Sequence, residues 1–201
     1  MYKKVIVLSV FYLINSLFYL GFSSNFDSKI IPAPDKQIFL DGFFKLNDNT
    51  TINYPNEFKN SVNFLSSYLN QGGTQYLFIK NKNASKNFVH FLLDEKLSND
   101  EAYKIEIKKN GITITSRDNK GAFYAIQTLR QLIPASFENK TYPNTEISIK
   151  CQIIEDSPRF KYRGMHLDVG RHLFSVEFIK KYIDALAMLK FNTFHWHLTE
   201  D

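Results

Sequence analysis

GMHLDVGRH at residues 164–172 and TFHWHLTED at residues 193–201 decide the fold. Apolar and polar residues alternate in both runs, which is the period of a strand with two different faces. Between them, Ser175 can cap a helix, apolar residues recur at helical spacing through residues 176–189, and Asn192 is expected to end that helix. A strand, a helix and a strand within about 35 residues predict a βαβ unit with parallel strands.

Polar loops follow both predicted strands. Arg171 lies in the first loop, and Glu200 and Asp201 open the second. Because the carboxyl ends of parallel barrel strands meet at one face, we expect Arg171 and Glu200 to lie side by side there. A guanidinium presents a planar fork of donors that can hold two hydroxyl groups at once. The alternative is that Arg171 is a structural ion-pair partner of Asp168 or Glu200.

Strand alternation places four polar residues, His166, Asp168, His195 and His197, on the inner faces of the two strands. A buried charge needs a partner, so Asp168 is expected either to bond a neighbouring loop or to contact a substrate. His195 and His197 lie on one face and could chelate a metal ion. The alternative, which we prefer, is that both are inward polar residues held by hydrogen bonds. Trp196 is predicted to face outward and to pack there.

Residues 30–155 are predicted to form a separate α+β domain. Alternating runs at 102–107 and 112–115 flank an Asn-Gly pair, which is a strong cue for a β-hairpin. Helical periodicity appears at residues 58–69 and again from residue 121 until Pro134. Further strands are predicted at residues 42–46, 50–52, 76–79, 88–93 and 149–153.

The first 24 residues have the character of an export signal. A short basic segment, residues 1–4, precedes a nearly unbroken apolar run at residues 5–22. An uncleaved membrane anchor is the alternative, since the run approaches the roughly 20 residues that span a bilayer. We expect an exported protein, periplasmic, secreted or surface-associated, without a stable membrane partner. Its single cysteine, Cys151, excludes an internal disulfide and is expected to be buried.

The charge pattern argues against a nucleic-acid partner. The formal net charge is +5 and the pI is about 9.1. However, the lysines are scattered among Asn, Asp and Glu, with no basic block longer than a pair. A solvated basic surface explains this distribution better than a nucleic-acid site does.

The sequence resembles glycoside hydrolase family 20, the β-N-acetylhexosaminidases. The resemblance rests on long compound signatures: Arg163-Gly164 through Asp168 to Arg171-His172, and Asn192 through His195-Trp196-His197-Leu198 to the acidic pair. Upstream, it rests on Ile31-Pro32-Ala33-Pro34, Glu101-Ala102-Tyr103, Gly111-Ile112 and residues 121–132. It therefore covers nearly everything after the apolar amino-terminal segment.

The resemblance implies an α+β amino-terminal domain at residues 30–155, with an antiparallel sheet and helices. The start of a (β/α)8 TIM barrel follows at residues 156–201, incomplete because the family's barrel has eight strands. It also implies hydrolysis of terminal N-acetylglucosamine or N-acetylgalactosamine by substrate-assisted, retaining catalysis. The Asp-Glu pair of that mechanism is expected beyond residue 201, because no residue of this chain matches it. The chain alone is therefore expected to be inactive.

Family roles extend to three residues of this chain. Arg171 matches the arginine that binds the terminal sugar's hydroxyls. Glu200 occupies the first of two acidic positions, at which many members of the family have Asp. In the family, the acidic side chain at this position joins a hydrogen-bonded relay that leads through a later histidine to the catalytic acid. Asp201 is the other residue that could fill this role. Both acids could instead pair with Arg171. The family implies a glycan partner and no metal or organic cofactor. The competing hypotheses are a metal-dependent hydrolase built on His195 and His197, and a non-catalytic glycan-binding or scaffold protein.

Overall fold

The computed structural model describes residues 29–71, 84–97, 99–138 and 146–199. The elements are β1 (Lys36–Leu46), β2 (Thr51–Asn53), α1 (Lys59–Asn70), β3 (Phe88–Leu93), β4 (Tyr103–Lys108), β5 (Gly111–Ser116), α2 (Asn119–Leu132), β6 (Ile147–Asp156), β7 (Gly164–Asp168), α3 (Val176–Met188) and β8 (Thr193–His197). The predicted export segment, residues 1–24, and the predicted strand at residues 76–79 lie outside these ranges. Within them, no helix is both long enough and apolar enough to cross a membrane.

Six strands form one mixed sheet in the order β1-β6-β4-β5-β3-β2. The pairs β1–β6, β4–β6 and β4–β5 are antiparallel, whereas β2–β3 and β3–β5 are parallel. The predicted α+β class is confirmed, but the sheet is not wholly antiparallel. The chain passes through α1 between β2 and β3, so these two strands run in the same direction. β3 then pairs with β5 and not with β4, the strand that follows it.

The predicted hairpin is present as β4 and β5, with Lys108 opposite Gly111. Its two loop residues are Lys109 and Asn110, so Gly111 is already the first residue of β5. A Cβ at this position would lie 2.6 Å from the ring of Phe88 on the neighbouring strand. Close approach of that ring therefore favours glycine here.

Two helices cover one face of the sheet and close the core. The carboxylate of Asp118 caps α2 by accepting the Gly121 N–H at 2.7 Å. The helix ends at Leu132, and Ile133 is extended because it precedes Pro134. The fully buried side chains between helices and sheet are mainly aliphatic: Leu65, Leu69, Ile105, Ile107, Ile112, Ile114, Leu129, Ile147 and Ile149. Cys151 is buried as well, as predicted.

The predicted βαβ unit is confirmed in β7, α3 and β8. The two strands are parallel, with His166 opposite His195 and Asp168 opposite His197. Ser175 caps α3, since its hydroxyl accepts the Phe178 N–H at 3.2 Å. Parallel pairing brings the carboxyl ends of both strands to the same edge.

The prediction that Asn192 ends the helix is wrong. Helix α3 ends at Met188, and the chain turns at Lys190, whose φ of 64° is left-handed. Asn192 instead joins the approaches to the two strands. Its Oδ1 accepts the Arg163 N–H at 3.0 Å, and its Nδ2 donates to the Lys161 carbonyl at 2.7 Å. The side chain aligns the beginning of β7 with the beginning of β8.

A buried arginine connects the six-stranded domain to α3. Arg130 on α2 donates from Nε and Nη2 to Glu138 at 2.7 and 2.9 Å. It also donates from Nη1 and Nη2 to Asp184 on α3 at 2.9 and 2.8 Å. Its guanidinium lies 5.0 Å from the ring centre of Tyr68. The Arg130 side chain is only 6% exposed, so these two bidentate pairs replace the water that its charge has lost.

Two more cations, the buried Lys190 and the partly buried Arg163, hold the beginnings of the paired strands. Lys190, just before β8, donates to Asp156 at 2.7 Å and to the Tyr103 hydroxyl at 2.8 Å. Arg163, just before β7, donates to Glu101 at 2.6 Å. Each of these bonds crosses from the βαβ unit to the six-stranded domain or to the end of its last strand. Both strands are therefore anchored at their amino ends.

We expect Arg130→Met to lower the free energy of unfolding by about 2–3 kcal/mol. Removing one partner of a buried pair leaves the other charges unpaired. This loss of stability is smaller than is usual for a fully buried ion pair, because the Glu138 and Asp184 side chains are 37% and 50% exposed and water can solvate them once Arg130 is gone. Urea denaturation of the two proteins measures the difference. Lys36→Met, which breaks the exposed pair with Glu155, is the matched control and should cost at most about 1 kcal/mol. Equal losses would show that the buried pair is no stronger than a surface pair.

The ion pair between Arg130 and Glu138 also predicts that the free energy of unfolding depends on pH. Burial disfavours the charged form of Glu138, but hydrogen bonds from Arg130 and Tyr68 more than offset this and lower the pKa of that carboxyl. A carboxyl with a lowered folded-state pKa stabilises the protein above its unfolded value of about 4.3, and this contribution disappears as the pH falls through the folded-state pKa. The stability difference between wild type and Arg130→Met should therefore be smaller at about pH 3 than at pH 7. A difference independent of pH would contradict this account.

Candidate functional site

The candidate site lies where β7 and β8 end. The bond from the Val169 N–H to the His197 carbonyl, 3.0 Å long, extends the parallel ladder beyond Asp168. The loop at residues 169–175 then carries Arg171 away from the sheet and ends at the cap of α3. The predicted neighbours in the second loop, Glu200 and Asp201, lie outside the described residues. The proximity of Arg171 and Glu200 therefore stays a prediction.

Asp168 organises the first loop. Its Oδ1 accepts the N–H groups of Gly170 and Arg171 at 2.9 and 3.0 Å. Its Oδ2 lies 3.5 Å from Nε of Arg171. The bond from the Arg171 N–H is the main reason that the pKa of the Asp168 carboxyl is lowered; desolvation opposes the shift, and the nearby His197 supports it. Of the two roles predicted for Asp168, the loop contact is present in the structure.

Arg171 has the exposure that a ligand-binding residue requires. Its side chain is 70% exposed, although Nε faces Asp168. The ion pair with Asp168 that the sequence suggested as an alternative is therefore present. However, a guanidinium has five N–H donors, and Nε supplies only one of them. An ion pair at Nε and ligand binding through the Nη groups are compatible in one side chain.

Three histidine rings line the inner faces of β7 and β8. The rings of His166 and His195 meet edge to face with centroids 4.7 Å apart, and those of His166 and His197 are 5.9 Å apart. Nε2 of His197 pairs with the Thr199 carbonyl. Within the described part of the chain, no group of three His, Cys, Asp or Glu residues is arranged to hold a metal ion. Of the two histidines predicted to be held by hydrogen bonds, His197 has such a bond in the described part of the chain, whereas His195 contacts the ring of His166.

The outer faces of the strands are apolar. The rings of Phe194 and Trp196 stack with centroids 5.7 Å apart, and Tyr182 of α3 contacts Phe194. The Tyr182 hydroxyl also donates to the His166 carbonyl at 3.2 Å. Trp196 therefore lies on the outer face, as predicted, with 45% of its surface exposed. The alternation of the sequence correctly separated the polar inner face from the apolar outer one.

A cavity of about 410 Å³ lies at the opposite, amino-terminal end of β7 and β8. Its walls include Glu101 paired with Arg163, and Asp156 paired with Lys190. Burial is the main reason that the pKa of Lys190 is lowered, although Asp156 opposes the shift. Because these charged groups bond one another, they anchor the strands. The sequence does not reveal these anchoring roles: Arg163 stands out only as part of the Arg163-Gly164 signature, and Lys190 has no distinguishing signal.

Comparison with known proteins gives two family matches. Residues 27–157 match the family described as "Glycosyl hydrolase family 20, domain 2". Residues 160–201 match that described as "Glycosyl hydrolase family 20, catalytic domain". Together the two matches cover nearly all of the described residues.

Among curated proteins, a β-hexosaminidase of Porphyromonas gingivalis is 39% identical over 175 residues, covering 86% of this chain and 22% of that protein. A β-hexosaminidase of Vibrio furnissii is 41% identical over 100 residues, covering 50% of this chain and 15% of that protein. The chain thus spans about a fifth or less of the length of these relatives.

Solved structures show the same likeness. A family 20 β-N-acetylhexosaminidase from Streptomyces coelicolor superimposes with a TM-score of 0.75 at 32% identity, covering 84% of this chain and 34% of that one. A β-N-acetylhexosaminidase from Bacteroides fragilis gives a TM-score of 0.73 at 31% identity, covering 86% of this chain and 34% of that one.

Proposed function

The chain belongs to glycosyl hydrolase family 20, and we propose that it is the amino-terminal part of a β-N-acetylhexosaminidase. The complete enzyme would hydrolyse terminal, non-reducing N-acetylglucosamine or N-acetylgalactosamine residues of glycans. The observation that carries this proposal is the position of Arg171, an exposed guanidinium at the carboxyl end of a parallel strand. Barrel enzymes build their sites at that face.

In the proposed reaction, the acetamido oxygen of the substrate attacks the anomeric carbon, and the glycosidic bond breaks. A protein carboxylic acid protonates the leaving oxygen, and the resulting carboxylate then activates the water that opens the cyclic oxazolinium intermediate. We place that acid, and the aspartate that orients the acetamido group, in the protein sequence that follows Asp201. Neither step uses a metal ion or an organic cofactor.

The proposed task of this chain is to hold the sugar. The Nη groups of Arg171 would donate to two hydroxyls of the terminal residue, which fixes its position relative to the attacking acetamido group. Glu200, or Asp201 in its place, would join the relay of hydrogen bonds that leads to the catalytic acid. Residues 1–24 would direct the protein to export, where polymeric glycans are accessible.

We expect the 201-residue chain alone to show no turnover of 4-nitrophenyl N-acetyl-β-D-glucosaminide, because the proposed general acid is not part of it. A protein that continues through the remaining barrel strands should hydrolyse this substrate. Its activity should survive treatment with EDTA, which separates the proposal from a metal-dependent hydrolase. Binding of N-acetylglucosamine by the extended protein without turnover would instead support a glycan-binding protein.

In the extended enzyme, Arg171→Lys should lower kcat/KM by roughly ten- to a hundredfold. Lysine keeps the charge but loses the planar fork, and a hydrogen bond to a charged group contributes about 1.5–3 kcal/mol. The melting temperature should change little, since the Arg171 side chain is 70% exposed. Arg159→Lys is the matched control, because Arg159 is also exposed but lines the cavity at the opposite end of the strands. A large loss of stability with unchanged kcat/KM would assign Arg171 a purely structural role.

A further inference from the structure

Within the part of the chain that the structure describes, the Asp168 carboxylate makes two hydrogen bonds and one ion pair, all with the loop that carries Arg171. One carboxylate oxygen accepts two successive main-chain N–H groups, those of Gly170 and Arg171. The other oxygen faces Nε of the Arg171 side chain at 3.5 Å. A single carboxylate therefore restrains both the backbone and the side chain of the same arginine.

These contacts are not needed to hold the strand in place. The ladder between β7 and β8 runs through main-chain pairs up to Asp168 and His197, and the Val169 N–H continues it. The amino ends of both strands are anchored separately through Arg163 and Lys190. We therefore expect removal of the Asp168 carboxylate to release the loop and to leave the strand pairing intact.

We propose that Asp168 is a positioning residue that presents the Nη edge of Arg171 to the sugar and does not itself contact the substrate. The inference rests on the proposed function, because it assigns Asp168 a role in the same site. An arginine side chain has four rotatable bonds, and binding in one orientation costs it conformational freedom. With the Arg171 backbone and Nε held in advance, much of this freedom is lost before the sugar arrives. The carboxylate is ionised at neutral pH, since its pKa is lowered.

Two substitutions separate the backbone contact from the charge. Asp168→Asn keeps an oxygen that can accept the Gly170 and Arg171 N–H groups but removes the charge beside Nε. Asp168→Ala removes both. In the extended enzyme, we expect kcat/KM to fall roughly three- to tenfold in the first variant and ten- to a hundredfold in the second. KM for the chromogenic N-acetylglucosaminide should rise in both variants, because the restraint acts on the binding of the sugar.

A double-mutant cycle tests whether Asp168 acts through Arg171. If it does, the Asp168→Ala and Arg171→Lys double variant should be little worse than Arg171→Lys alone. Independent losses that multiply would show a direct substrate contact by Asp168 and overturn the inference. Asp118→Ala is the matched control, since Asp118 also accepts a main-chain N–H, but at the cap of α2. It should lower the melting temperature and leave kcat/KM unchanged.

Amide hydrogen exchange provides a test that does not depend on activity. Asp168→Ala should speed exchange at Gly170 and Arg171, whereas Asp168→Asn should largely preserve their protection. Unchanged exchange in the alanine variant would overturn the inference even if the enzyme is active. If the extended protein hydrolyses no N-acetylhexosaminide, the proposed function fails, and the exchange result still reports whether Asp168 holds the loop.

Discussion

The arrangement of the six-stranded domain and the βαβ unit depends on the ion pairs that the guanidinium of Arg130 makes with Glu138 and Asp184. The guanidinium lies in α2 of the six-stranded domain, almost without solvent, and binds Glu138 of its own domain and Asp184 of α3. If Arg130 were paired with only one of these carboxylates, some of its N–H groups would be buried without an acceptor. Burying unpaired N–H groups of a charged side chain in a medium of low dielectric constant destabilises the fold. The charge on α2 is therefore best satisfied when α3 is docked. Since α3 connects β7 to β8, its docking also places the strands that carry the candidate site.

The elements near the site were predictable because their signals are local. Strict alternation in two short runs, and a serine before an amphipathic stretch, are sufficient to define β7, β8 and the start of α3. Alternation also assigned His166 and Trp196 to opposite faces. The signal at the end of α3 was weaker, because a lysine in the left-handed conformation, Lys190, has no characteristic sequence pattern. Asparagine is common at such positions, which explains why Asn192 was expected there.

Features that depend on distant partners were not predictable. Lys190 follows a helix and looks like an ordinary surface lysine, yet its partners Tyr103 and Asp156 are 87 and 34 positions away. Likewise, the composition of β3 and β5 does not specify that these two strands pair with each other in parallel. At Asp168, the sequence allowed a loop contact or a substrate contact, because the choice depends on side-chain torsions. The burial of Lys190, the direction in which β3 runs and the orientation of the Asp168 side chain are properties of the folded structure, and only the structure reveals them.

The pairing of β1 with β6 also affects how the domain forms during synthesis. Lys36 and Glu155 are 119 positions apart, yet they are opposite each other in the sheet. A ribosome adds roughly 5–20 residues per second, so β1 waits on the order of ten seconds for β6, the strand that covers one of its two edges. During that interval the nascent chain presents an unpaired strand with apolar side chains, which is a site for association with other chains. Exposed lysines in β1, Lys36 and Lys45, place charge along this strand and disfavour such association until β6 has been made.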